Sequence, residues 1–337
     1  MSDTQYEFYH YTPSLVAAII FIALFFLISV LHAYQLVRTR TLAFIPFCIG
    51  GFMESVGYIG RAIGSNETPN WTLGPFVLQA VLILVAPALM AASLYMLLGR
   101  IITLTDGERH AFIKKRFLTK IFVAGDVFSF LLQAGGRGRL DLILPPSLPS
   151  CAPKIADFCL FFPTFLGAGL LSSKSQSTSN TGSKIIMGGL VVQIVFFSVF
   201  VLVGVKFHLN MRRGSGGAAT TTTTGNDKSN QSSTKSAVSW EKHLVTLYIG
   251  SSLILIRSIM RLIEYAQGND GYLISHEVFL YTFDSVPMFF VMILFAITHP
   301  SEINAHLKGA GAKVIENIVQ VYSLENVEAR YTTLQEV

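Results

Sequence analysis

The run from Leu73 to Gly99 contains no charged side chain at all. It exceeds the ~20 apolar residues a helix needs to cross a ~30 Å hydrocarbon core. Backbone immersed in hydrocarbon must satisfy its own hydrogen bonds, which leaves helices or closed barrels, and a run this long and uniformly apolar selects the helix. Six more runs share the character: Pro13–Leu36, Leu42–Ile63, Phe117–Gly135, Lys184–Val205, His243–Glu264 and Glu277–Thr298. The expected architecture is all-α, a polytopic seven-transmembrane helix bundle. Composition agrees, because only 13% of the 337 residues are charged and 51% are hydrophobic, against about 25% charged in soluble domains.

Charge placement predicts orientation. Arg38, Arg40, Arg100, Arg109, Lys114 to Arg116, Arg212 and Arg213 crowd the loops after spans one, three and five. Lys308, Lys313 and Arg330 lie in the tail. Basic loops stay cytoplasmic, so the N-terminus is expected outside and the C-terminus inside. The net charge of +5 needs no nucleic-acid partner, since loop residues of this kind carry it. The sequons beginning at Asn66 and Asn70 then fall in an outer loop and are glycosylation candidates, whereas the one at Asn230 falls inside. Residues 1–12 form an expected extracytoplasmic segment, 13–300 the membrane domain and 301–337 a mostly disordered cytoplasmic tail. The stretch 214–237, with Thr220 to Thr224 in sequence, has the composition of a disordered linker.

One segment is atypical. Residues 137–183 form a long loop rich in proline over 137–166, with Cys151 and Cys159. Its apolar part, Ile155 to Leu171, is interrupted by Asp157 and Pro163, and a crossing there would send the basic tail outside. It reads as an extracytoplasmic insertion, or as a retained intron between Gly136 and Gly167.

Eight ionisable residues lie within or at the ends of these spans: Glu54, Arg61, Asp126, Arg257, Arg261, Glu264, Glu277 and Asp284. Each costs about 2.5–3.5 kcal/mol at the centre of an inserted helix, so they must be paired, hydrated or used. Their spacing is regular: Glu54 and Arg61 are two turns apart, Arg257, Arg261 and Glu264 share one face, and Glu277, Tyr281 and Asp284 share another. With Tyr58, Gln79, Gln133 and Gln193, they are expected to line one cavity in the outer half of the bundle. Inter-helix ion pairing is the competing explanation for any one of them. Five acids against three arginines suit a cationic amphiphile. Pro87 and Pro287 are expected to kink spans three and seven. No metal-binding spacing, cofactor motif or P-loop is present in the sequence, so neither a metalloenzyme nor ATP-driven export by this chain alone is expected.

These residues also carry a resemblance. Glu54-x-x-Gly57-Tyr58-x-x-Arg61, Pro87-x-x-x-Ala91-Ala92-x-x-Tyr95 and Asp126-x-x-Ser129-x-x-x-Gln133-x-Gly135-Gly136 occur in order. Gly189-x-x-x-Gln193, Arg257-x-x-x-Arg261-x-x-Glu264 and Glu277-x-x-x-Tyr281-x-x-Asp284-x-x-Pro287 follow. Together they resemble the fungal lipid-translocating exporter family, over roughly residues 10–300. The resemblance implies seven spans, translocation of amphipathic lipids such as sphingoid long-chain bases or amino-sterols, resistance to toxic amphiphiles, membrane lipids as partners and a plasma-membrane location. The segment 137–166 departs from the family pattern. A seven-span lipid receptor signalling through its cytoplasmic loops is the alternative.

Overall fold

The computed structural model describes residues 13–68, 72–105, 107, 115–136, 176–217, 240–267, 271–273 and 275–307. The described residues are helical, without strands. In order come α1 (Leu15–Thr39), a 3-10 turn (Leu42–Phe44), α2 (Ile45–Asn66), α3 (Leu73–Leu104) and α4 (Lys115–Gly136). Then follow α5 (Gln176–Gly217), α6 (Trp240–Gln267), α7 (Glu277–Leu280), a π-helical turn (Tyr281–Ser285), α8 (Val286–Ile297) and α9 (Ser301–Leu307). Six spans have both the length and the hydropathy to cross a bilayer, and α4, at 22 residues, has the length. The chain is a polytopic helical membrane protein.

Sequence neighbours pack side by side from α1 to α6, and α8 closes the ring by lying against both α6 and α1. Helix α3 is the hub: 67% of its most apolar window is buried against 22% for α1, and it touches α2, α4, α6 and α9. Its seam with α2 is close because glycines of α2 face it. A Cβ on Gly60 would sit 3.0 Å from the Pro75 carbonyl oxygen, and one on Gly57 would sit 2.7 Å from the Ile83 side chain. Association between helices in lipid depends on this kind of contact, since burying apolar surface gains little when the solvent is itself apolar.

The two prolines are accommodated in different ways. Helix α3 continues through Pro87 as one element. Pro87 has no N–H to give the Ile83 carbonyl four residues back, and Arg257 Nη2 of α6 donates to that oxygen instead, at 2.7 Å. In span seven the irregularity lies just before Pro287, as the π turn, where the Val286 N–H reaches back to the Tyr281 carbonyl.

Other boundaries shift too. Residues 176–183, expected in the long loop, form the first two turns of α5, and 214–217, expected in the linker, form its end. The tail, expected to be mostly disordered, begins as helix α9. Asn304 of α9 fixes that helix: its Oδ1 accepts from Arg100 Nη1 at 2.9 Å and its Nδ2 donates to the Arg40 carbonyl at 3.3 Å. Arg40 adopts a left-handed backbone conformation, φ 51°. A hydrogen bond with His243 holds the Glu302 carboxyl below its ordinary range. Residues 1–12, Asn70, Cys151, Cys159, Asn230 and most of the atypical loop, linker and tail lie outside the described residues.

Candidate functional site

The site is built where α2, α6 and the π turn meet. Widening one turn in span seven changes which residues point inward: Tyr281, Asp284 and Ser285 are all buried. Single π turns are rare and recur at functional sites. Here the turn gives each buried polar group of span seven a different partner.

Asp284 receives both guanidinium groups of α6: Arg257 Nε faces its Oδ1 and Arg261 Nη2 donates to its Oδ2. Arg261 Nη1 donates to Glu264 Oε2 at 3.1 Å, one turn further along α6. The Ser285 hydroxyl hydrogen-bonds the Tyr58 hydroxyl of α2. Tyr281 accepts from Arg61 Nε at 3.0 Å, and the Arg61 guanidinium lies 5.3 Å from the Tyr281 ring centre. Arg61, fully buried, also donates from Nη2 to Glu277 Oε1 at 2.7 Å. Glu277 in turn accepts from the Ser14 N–H, so this pair ties the start of α1 to α2 and span seven. Glu54 is 1% exposed, and its Oε1 has no hydrogen-bond partner among the described residues. Arg257 is the strongest charge acting on it.

Beside this network a small, open cleft lies between α6 and span seven. Arg257, Arg261, Glu264, Asp284 and His276 form its polar side. Met260, Leu273, Phe279, Leu280 and Phe283 form its apolar side. Phe279 and Phe283, at i and i+4 on span seven, lie nearly parallel with centroids 6.3 Å apart. A mixed lining of this kind can meet both a charged headgroup and a hydrocarbon or ring system.

The predicted residues do not all gather there. Arg257, Arg261, Glu264 and Asp284 line the cleft, while Glu54, Tyr58, Arg61, Glu277 and Tyr281 form the adjoining network. Asp126, Gln133 and Gln193 belong to a different interface, between α4 and its neighbours α3 and α5. There Tyr95 donates to Asp126 Oδ2 at 2.8 Å and Gln133 Nε2 donates to Gln193 Oε1 at 3.3 Å. Gln79 is buried on α3 against Gly60 of α2. Among the described residues no group of His, Cys, Asp and Glu is placed to hold a metal ion.

The apolar wall, His276 and Ser285 were not singled out by sequence. Apolar side chains carry no contrast inside an apolar span, and the usable signal was the i, i+4 aromatic pair ending one residue before Asp284.

The RTA1-like protein family matches residues 47–141 and 142–306, the two stretches meeting inside the atypical segment. The chain belongs to that family. Protoporphyrin uptake protein 1 of Saccharomyces cerevisiae is 35% identical, over 88% of this chain and 93% of the relative. A probable lipid transporter of Emericella nidulans, atnI, is 27% identical over 87% of this chain and 67% of its own length. The sphingoid long-chain base transporter RSB1 of Saccharomyces cerevisiae is 22% identical over 86% and 72% respectively. No solved structure matches. The RTA1-like chain described here therefore has relatives named as lipid transporters.

Proposed function

We propose that this protein translocates amphipathic lipids, such as sphingoid long-chain bases or amino-sterols, from the cytoplasmic towards the outer leaflet of the plasma membrane, and so protects the cell from toxic amphiphiles. The observation that carries this is the cleft itself. Its lining combines two arginines and two carboxylates with Met, Leu and Phe side chains, between helices long enough to cross a membrane. In this reading the amine of a cationic headgroup engages Glu264 at the edge of the network, where among the described residues the carboxyl has Arg261 alone as its ion-pair partner. The chain tail lies along Phe279 and Phe283. The names of two relatives, a probable lipid transporter and a sphingoid base transporter, support the class of cargo.

A second reading has a specific observation behind it. The ionised side chains lining the cleft are balanced, two arginines against Glu264 and Asp284, so the acidic excess counted along the sequence is not concentrated there. Arg257 and Arg261 could receive the carboxylates of an anionic amphiphile, and the 35% identical relative is named for protoporphyrin uptake.

Flux of a fluorescent long-chain base in proteoliposomes, with protoporphyrin as competitor, separates the two. For the cationic cargo, Glu264→Gln lowers apparent affinity about tenfold, the equivalent of about 1.4 kcal/mol for one charge-assisted hydrogen bond, and protoporphyrin competes weakly. Strong competition with unchanged base affinity in Glu264→Gln selects the anionic cargo. No protein-dependent flux of either probe rejects translocation.

A further inference from the structure

The α3–α4–α5 interface holds an acid unlike the others. Asp284 has Arg257 and Arg261, Glu264 has Arg261 and Glu277 has Arg61, while Glu54 feels Arg257 most strongly. Asp126 is 5% exposed, and among the described residues no cationic side chain acts on it. Tyr95 of α3 faces it, Phe197 and Phe200 of α5 pack against the Tyr95 ring, and Gln193 of α5 meets α4 two turns away, at Gln133. Arg100 of α3 is engaged by Asn304. The Tyr95 hydroxyl donates to Oδ2, whereas Oδ1 has no partner among the described residues. An ionised carboxylate accepts at about four lone-pair positions, so this one is far from satisfied, in a setting where uncompensated charge is costly.

A second vacant acceptor lies on the same face. Gln133, 1% exposed, stands two turns along α4, and its Oε1 has no partner among the described residues. Gly189 of α5 packs directly over it: a Cβ there would come 2.6 Å from Gln133 Cγ and 2.8 Å from the Ser129 carbonyl oxygen. The two acceptors are roughly 10 Å apart by helix rise. They cannot jointly surround a hard cation, which needs about six oxygens at roughly 2.0–2.6 Å. A proton requires only one oxygen.

We propose that Asp126, with the Tyr95 hydroxyl beside it, is a proton-binding site that couples cargo movement to proton exchange. Hydronium gives its proton to Oδ1, an O–H bond forms and a water molecule is left. Release to water on the opposite side breaks that bond, and no electron is exchanged. Gln133 and Gln193 mark the polar route between α4 and α5. The coupling rests on the translocation reading above, whereas the proton binding does not.

Infrared difference spectroscopy of the detergent-purified full chain, taken through a pH titration, tests the binding. The carboxylic C=O band of the wild type is expected to lose one component in Asp126→Asn. In Tyr95→Phe that component is expected to titrate about one pH unit away, tenfold in proton affinity. A band unchanged in Asp126→Asn overturns the site. If Asp126→Asn does not fold, an unshifted titration in Tyr95→Phe overturns it instead. Flux of a fluorescent long-chain base in proteoliposomes tests the coupling. An imposed proton gradient is expected to stimulate wild-type flux several-fold and to leave Asp126→Asn flux unaffected. Full stimulation in that variant overturns the coupling. Wild-type flux absent under every gradient overturns translocation while leaving the infrared result standing.

Discussion

Arg61 is fully buried and makes three contacts with span seven: to Glu277, to the Tyr281 hydroxyl and to the Tyr281 ring. Removing one partner of a buried ion pair strands the other, at about 3–5 kcal/mol, whereas removing both is often close to neutral. Arg61→Met is therefore expected to lower the thermal midpoint sharply in detergent. The double variant Arg61→Met, Glu277→Met should recover most of the loss. Equal destabilisation of single and double variants in thermal-shift measurements would contradict a stranded Glu277. The pairing of Arg61 with span seven was legible in the sequence only as a shared polar stripe. Helical spacing shows that residues share a face, not which neighbouring helix that face meets.

Elements show how local chemistry and close packing combine. Gly60 and Gly99 are both helical glycines, yet a Cβ on Gly60 meets the Pro75 carbonyl oxygen and the Gln79 amide nitrogen, while one on Gly99 meets nothing within 4 Å. Gly60→Ala is expected to cost about 1–3 kcal/mol through overpacking against backbone. Gly99→Ala should be neutral or stabilising by about 0.5–1 kcal/mol, because alanine loses less backbone freedom in a helix. The ranking of thermal midpoints, Gly99→Ala at or above wild type and Gly60→Ala below, checks the α2–α3 seam directly. Seven helices at the expected places were readable from apolar length, six of them long and apolar enough to cross a bilayer. Two details were not: how Pro87 is tolerated, since the replacement donor Arg257 lies far away in sequence, and the π turn, since a single extra residue per turn leaves hydropathy unchanged.

For the molecule as a whole, orientation determines what the cleft can do. Asn66 is exposed at the last position of α2, and just beyond it Glu67 accepts from the Thr72 amide and hydroxyl, which holds its carboxyl below the ordinary range. If the N-terminus lies outside, as charge placement along the sequence predicts, this end of the bundle faces the exterior, the same end at which α6 presents Glu264 and span seven begins. A glycosidase-sensitive mass shift, lost in Asn66→Gln, is expected, together with a tag in 218–237 that antibodies reach only after permeabilisation. A tag exposed on intact cells would invert the bundle and turn export into uptake.

Sequence alone determined the class of fold, because the length and apolarity of the spans follow from bilayer thickness and from the need to satisfy backbone hydrogen bonds internally. It also determined which polar residues required an explanation, since the cost of a charge in hydrocarbon is a local property. Tertiary structure decided how they are grouped. The single expected cavity is a cleft at α6 and span seven with an ion-pair network beside it, and Asp126 stands apart at the α3–α4–α5 interface. Helical periodicity cannot carry that distinction, because contact between helices depends on their order around the bundle. That order is fixed by packing: α8 lies between α1 and α6, and α3 runs through the middle.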